Sequence, residues 1–302
     1  MASEITSNYS HVHNNLGSAL EELGEYQKAK SCFEKAIQLD PNHPVAYWNL
    51  HSHALNVDEA LNILIKLYKI DNTYTEAKIM MSALQGYKGN FNEFDALIAS
   101  CESTHPYTRS IKWIFSLPKL PKIFFNRGRF YDGVIALTDK SRPFYEFGVW
   151  KGLSFKYLSE TFKKGFGFDT FTGIPEDWYS HPQGAFSAHG NIPKIKGGEF
   201  IVGKFEDTLP KFFSIERPLA SLINFDADLY SSTLCALNYS NKVIDEKTIL
   251  VFDELIMNDH WEHDEYRALN EFCNNLGISY DVLAVSFFTG QVAIKLKVGK
   301  NG

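Results

Sequence analysis

The sequence is poor in cysteine. Its 302 residues hold four, Cys32, Cys101, Cys235 and Cys273, scattered with no CxxC pair. That spacing excludes a disulfide framework and a cysteine-based zinc site, and reads as reduced, buried thiols of a cytoplasmic protein. Positive charge is also short, with 30 Lys and Arg against 36 acids and a net charge of −6. A generally basic nucleic-acid binder is thereby excluded, and no nucleic-acid partner is expected. No apolar run approaches the roughly 18 residues that a membrane span requires. Residues 1–10 (MASEITSNYS) have neither a basic nor an apolar stretch, so no signal peptide and no membrane partner are expected. What is present is ordinary globular composition, 44% hydrophobic and 22% charged, on a chain long enough for two domains.

Charge is distributed unevenly along the chain. Residues 1–104 carry 7 Lys and 13 acids, whereas residues 105–142 carry 8 Lys and Arg and only 2 acids. Residues 143–302 are acidic again. These shifts predict three segments: helical repeats over 1–104, a basic helical connector over 105–142, and a second domain over 143–302. From Leu16 the chain reads LGSALEELGEYQKAKSCFEKAIQLDP. Leu16, Gly17, Gly24, Tyr26, Ala29, Phe33, Ala36 and Pro41 fall on the spacing of a tetratricopeptide unit. Ala29 and Ala36 are small where two helices cross closely, and Leu16, Leu20, Phe33 and Ile37 supply apolar faces. A degenerate second unit follows from about Pro44, with Ala60, Leu64 and Leu67 on its second helix. A partial third runs through Ala77, Met81, Gly89, Phe91 and Phe94. One such unit cannot bury its own face, so a short array over residues 10–103 is expected.

From residue 143 apolar runs alternate with helical stretches. The runs are PFYEFG (143–148), GFGFD (165–169), EFIVG (199–203), SLINFD (221–226), TILVFD (248–253), SYDVLAV (279–285) and QVAIKLKV (291–298). This predicts an α/β fold with a doubly wound, mostly parallel sheet and a final antiparallel hairpin. In such sheets ligands bind at the carboxyl ends of the strands, and acids cluster there. The Gly148 to Gly152 turn lets a ligand approach backbone N–H groups. It is not the GxGxxG dinucleotide fingerprint, because Trp150 holds the second glycine's place. Asp169, about twenty residues on, can accept both ribose hydroxyls of an adenosyl cofactor. Asp226, Asp228, Asp253 and Glu254 would repel one another if ionised in one cleft. A divalent cation resolves that conflict and lowers the pKa of a bound hydroxyl, whose proton a nearby carboxylate removes.

Five segments occur in order: EFGVWKG, GFDTFTGIP, GKFEDTLP, DADLYSST and FDEL. Together they resemble the macrocin O-methyltransferase family, class I S-adenosylmethionine-dependent enzymes that methylate sugar hydroxyls. The resemblance covers about residues 125–298 and leaves the repeats aside. It implies that Glu146, Gly148 and Gly152 shape the methionine end of the cofactor site. By the same likeness Asp169 binds the ribose, while Gly203 and Phe205 lie near the adenine. It implies magnesium held by Asp226, Asp253 and Glu254, with Asp228 as the catalytic base. Glu254 stands where the family often has Asp; it is one methylene longer but still a hard oxygen ligand.

The reading is therefore an S-adenosylmethionine-dependent, magnesium-dependent O-methyltransferase with a sugar-like hydroxyl acceptor. The repeats would dock a protein partner or a second copy of the chain. Two other readings stand beside it: a non-catalytic repeat scaffold on a degenerate methyltransferase fold, and a methyltransferase of nitrogen or protein. The long segment 173–198, with Trp178, His181 and Phe186, is expected to form a lid. His260 and His263 are alternative bases.

Overall fold

A computed structural model describes residues 2–297. Val298, expected to end the last strand, lies outside the described residues with the rest of the C-terminal stretch. The chain forms two compact units, Met1–Arg129 and Phe130–Gly302. The division falls inside the basic segment 105–142, which contributes to both.

In the first unit the helices are α1 (Ala2–Glu22), α2 (Tyr26–Leu39), α3 (Pro44–His51), α4 (Val57–Ile70), α5 (Thr75–Tyr87), α6 (Asn92–Ile98) and α7 (Pro106–Ser116). A short strand, β1 (Lys122–Phe124), precedes α8 (Arg127–Ile135), within which the two units meet in sequence. The α1–α2 pair buries Ala29, Phe33 and Ala36 completely. Leu16, expected to face inward, is instead 47% exposed. Its neighbour Gly17 takes the inward place, where a Cβ would lie 2.5 Å from the Phe33 ring. One residue of offset is about 100° of helix rotation, so Leu16 turns outward as Gly17 packs. The short third helix begins at Pro44 under a His43 N-cap, whose Nδ1 accepts from Ala46 N at 3.3 Å. Helix α4 is set by Asn56, whose Oδ1 accepts from Glu59 N at 2.9 Å. Glu59 reaches back to Leu55 N at 2.8 Å, so two donors of the helix start are satisfied reciprocally. Ala60, Leu64 and Leu67 are fully buried.

The second unit is a sheet with helices between its strands. The strands are β2 (Phe144–Phe147), β3 (Gly165–Asp169), β4 (Gly198–Val202), β5 (Leu222–Phe225), β6 (Ile249–Phe252), β7 (Ser279–Ser286) and β8 (Val292–Lys297). The helices are α9 (Leu153–Ser159), α10 (Phe205–Phe212), α11 (Tyr230–Ser240) and α12 (Glu265–Leu276). Within this unit the strand order is β7-β8-β6-β5-β2-β3-β4. Strands β2 to β6 pair in parallel, and β8 is antiparallel to both β6 and β7. The doubly wound sheet and its closing hairpin follow the sequence pattern. The order reverses between β2 and β5, the switch point at which such sheets bind ligands.

One rung of aromatic side chains crosses four strands there. Phe147 pairs with Phe168 on one side and Phe225 on the other, and Phe225 pairs with Phe252. Their rings stack at 4.8, 5.4 and 4.8 Å in that order. All four are fully buried, and each contributes roughly 1.5–3 kcal/mol by leaving water. Because the rung is in register, the next residues emerge together at the carboxyl edge: Gly148, Asp169, Asp226 and Asp253.

Candidate active site

The turn after β2 is shaped by backbone crowding. Gly148 has φ +89°, and a Cβ on it would lie 1.7 Å from the Asp226 carbonyl oxygen. No other residue fits, so the switch-point strands approach with nothing between them. Asp226 N donates to Phe147 O at 2.8 Å and Gly148 N to Phe168 O at 2.9 Å, which continues the ladders past the strand ends.

Asp169 braces this turn from β3. Its Oδ2 accepts from Val149 N and Trp150 N, each at 2.7 Å, and its Oδ1 accepts from Phe171 N at 2.6 Å. The acid expected to face a ribose thus also ties two loops together. Gly152 N-caps α9, where an added Cβ would lie 2.9 Å from Pro193 Cγ. Segment 173–198 therefore covers that end of the turn. Gly203 follows β4 and donates its N–H to Asp169 O at 2.9 Å. Phe205 opens α10, is 9% exposed and meets Phe147 edge-on at 5.7 Å.

Glu146 is wholly buried in β2. Its Oε1 accepts from Asn224 Nδ2 at 2.8 Å, and the Asn224 Oδ1 accepts from Tyr131 OH at 3.0 Å. Ser154 stands beside the carboxyl, yet Oε2 has no partner of ordinary hydrogen-bond geometry. Burial above all, with Asp253 and Asp169 nearby, pushes the Glu146 carboxyl up to about 8 against the donors Ser154 and Asn224.

Across the switch point Asp228 is half-buried with φ +57°, a strained setting for a residue with a Cβ. Burial first, then the charges of Glu254, Asp253, Asp264 and Asp169, raise its carboxyl to about 8. Asp253 is 2% exposed, and its Oδ1 accepts from Gln291 Nε2 at 2.9 Å. Glu254 N donates to Oε2 of the buried Glu265 at 3.1 Å, and burial raises the Glu265 carboxyl well above its ordinary value. The acids thus occupy neighbouring strand ends, as their sequence positions predict. They are not drawn into a ready cage, however: among the described residues no three His, Cys, Asp or Glu side chains are placed to hold an ion. Asp253 instead carries the amide of Gln291 on its Oδ1.

Segment 173–198 is anchored by a residue that the motifs do not reveal. Asp264, just before α12, is 7% exposed. Its Oδ2 accepts from Trp178 Nε1 at 3.3 Å and its Oδ1 from Tyr179 OH at 3.2 Å. Burial, against those two donors, raises its carboxyl. Tyr179 stacks on His260 at 3.7 Å, while His181 packs on Trp178 at 5.5 Å and Phe186 at 4.9 Å. Ser231 Oγ donates to Glu176 Oε1 at 2.5 Å. His260 and His263 are both exposed. Asn224 carries one legible signal, a polar residue inside the apolar run SLINFD. Tyr131 and Asp264 carry none.

No helix among the described residues is long and apolar enough to cross a membrane. Among curated proteins no relative matches this chain. Several solved methyltransferases resemble it in structure. The calicheamicin methyltransferase CalS11 is 20% identical over 65% of this chain and 93% of its own, with a TM-score of 0.45. The O-methyltransferase NovP is 18% identical over 56% of this chain and 76% of its own, with a TM-score of 0.40. An O-methyltransferase from Bacillus cereus, solved with S-adenosylhomocysteine, is 16% identical over 67% of this chain and 96% of its own, with a TM-score of 0.39. The tetratricopeptide repeat family matches residues 11–43, so the first unit carries a tetratricopeptide repeat and the second a doubly wound α/β sheet.

Proposed function

We propose that this protein transfers the methyl group of S-adenosylmethionine to a hydroxyl of a sugar or a related polar small molecule. The observation that carries the reading is the orphaned Oε2 of buried Glu146 beside the switch-point turn. Ser154 stands beside this carboxyl without ordinary hydrogen-bond geometry to Oε2, so that oxygen can take a donor from a ligand, and the ammonium of the cofactor's methionine end is such a donor. Gly148 and Gly152 would shape that end through the tight turn they allow after β2, and Asp169 would meet the ribose hydroxyls. Gly203 and Phe205 would border the adenine.

The cofactor brings an already activated methyl group, so the chain's work is to position the acceptor and remove its proton. Asp228 is the base in this scheme. It stands two residues past the end of β5, half-buried among the other strand-end acids, where a carboxylate could accept a hydroxyl proton. Asp228 would take the acceptor's hydroxyl proton, and the bound donor would supply its activated methyl group to the acceptor oxygen and depart as the neutral thioether. The strand-end carboxylates have the donor chemistry and charge for a magnesium ion, which would have to draw them together. Asp226, Asp253 and Glu254 would hold it, and it would supply Lewis acidity toward the acceptor hydroxyl. Residues 173–198 serve as a lid over the turn.

We take the functional division as repeats over 1–104, a connector over 105–142 and a catalytic segment over 143–302. The repeats would dock a protein partner or a second copy of the chain, in the cytoplasm. Calorimetric titration of the full chain with S-adenosylhomocysteine, followed by a methyl-transfer screen over nucleotide-linked sugars, tests the reading. Micromolar binding and a methylated hydroxyl are expected. Absence of binding at high micromolar ligand leaves the scaffold reading, and turnover on amines alone sinks the hydroxyl assignment.

A further inference from the structure

Beneath the candidate cofactor site lies a polar chain inside an otherwise apolar core. Tyr131, 1% exposed, donates its hydroxyl proton to Asn224 Oδ1, and Asn224, fully buried, donates from Nδ2 to Glu146 Oε1. Tyr131 lies on α8, outside every motif that suggests chemistry. An asparagine amide can turn over, and only one orientation presents its N–H to Glu146. The Tyr131 hydroxyl donates to the opposite end of that amide and so supports this orientation when Glu146 is ionised. Oε1 is thereby occupied, and Oε2 is the oxygen left for a ligand.

We propose that Tyr131 and Asn224 are positioning residues that hold Glu146 as a proton-linked receptor for the ammonium group of the methyl donor. This rests on the methyltransferase reading and adds to it the residues that control capture of the donor's amino-acid end, and the pH at which capture occurs. In the unliganded protein the Glu146 carboxyl keeps its proton up to about pH 8. An arriving ammonium favours the carboxylate, so Glu146 releases one proton to solvent as the ion pair forms. The groups that face it are Ser154 on α9, Asn224 on β5, and the charges of Asp253 beyond β6 and Asp169 at the end of β3. Tyr131 is linked to it through Asn224. The two acids favour the protonated form, while the two donors favour the ionised one.

The test is the pH dependence of S-adenosylhomocysteine affinity, measured by calorimetry on the full chain between pH 6 and 9. S-adenosylhomocysteine carries the same amino-acid end but no sulfonium. One linked proton predicts affinity rising about tenfold per pH unit and levelling above pH ~8. Tyr131→Phe keeps the ring but frees the amide, so the rising limb should move to higher pH while affinity recovers in alkali. Asn224→Leu removes the donor itself and should move it further, and Glu146→Gln should bind weakly with a flat profile. Melting temperatures of each variant check folding. A purely structural role for Tyr131 would lower affinity equally at every pH, and that outcome overturns the proposal. A flat wild-type profile with good binding overturns it too and leaves the methyltransferase reading intact. No binding by the wild type overturns both.

Discussion

At the scale of single residues, Gly148 is the least replaceable position of the site. In Gly148→Ala the new methyl would meet the Asp226 carbonyl at 1.7 Å, in a left-handed backbone conformation. Either the β2 and β5 ends separate or the turn refolds. Chemical denaturation should show a loss of about 2–4 kcal/mol, with cofactor affinity gone at temperatures where the variant is still folded. Asp228 makes a different prediction, because the proposed mechanism gives its side chain a proton to accept. Asp228→Asn should lower kcat by about 10²–10⁴-fold and leave S-adenosylhomocysteine affinity within a few fold. Equal losses of both would remove Asp228 from the base role. Gly148 and Asp228 can be named from sequence because each stands immediately after, or two residues past, an apolar run. The tie between Tyr131 and Asn224 spans 93 residues and follows no periodicity, so no local pattern announces it.

At the scale of elements, the segment between β3 and β4 is latched at Asp264. Asp264→Ala removes the acceptor of both Trp178 and Tyr179, and hydrogen exchange over residues 174–190 should quicken. The acceptor KM should rise more than the cofactor affinity changes; unchanged exchange would show that the aromatic packing alone holds the segment. In the repeat unit the third helix carries a titration. His51 is fully buried, its Nδ1 lies against the Trp48 carbonyl, and burial lowers its pKa from 6.5 to about 4. An unfolded chain takes up that proton at the ordinary value. Stability is therefore complete above pH 6.5 and declines as pH falls toward 4. The loss is about 1.4 kcal/mol per pH unit, roughly 3 kcal/mol in total. Melting followed against pH should show this decline, and His51→Phe should flatten it. The helices themselves can be read from sequence, since Ala29, Phe33, Ala36, Ala60, Leu64 and Leu67 follow a helical period. Leu16 misleads because Leu16 and Gly17 both fit the repeat spacing, and only the Phe33 ring decides which one turns inward.

At the scale of the whole molecule, composition separates an acidic helical array from an acidic α/β sheet with a basic stretch between. Strand order can be anticipated in class, since buried runs alternating with helices leave little but a doubly wound sheet. What composition cannot convey is how the acids at its edge share their charge. That depends on orientations set by Gln291, Glu265 and Asp264. If a cation gathers Asp226, Asp253 and Glu254, a chelator should cut turnover by at least about tenfold while S-adenosylhomocysteine still binds. Turnover that survives chelation would assign the proton transfer to the carboxylates alone.

The segment after β3 touches two distant points of the sheet edge. Pro193 and Ile195 close over Gly152, while Trp178 and Tyr179 hang from Asp264. A strap fastened at both ends cannot admit one reactant without loosening over the other. If the proposed donor and acceptor both bind beneath it, they would have to enter and leave in a fixed order. The slowest event of the cycle would then be unfastening, and a pre-steady-state burst of methylated product its signature.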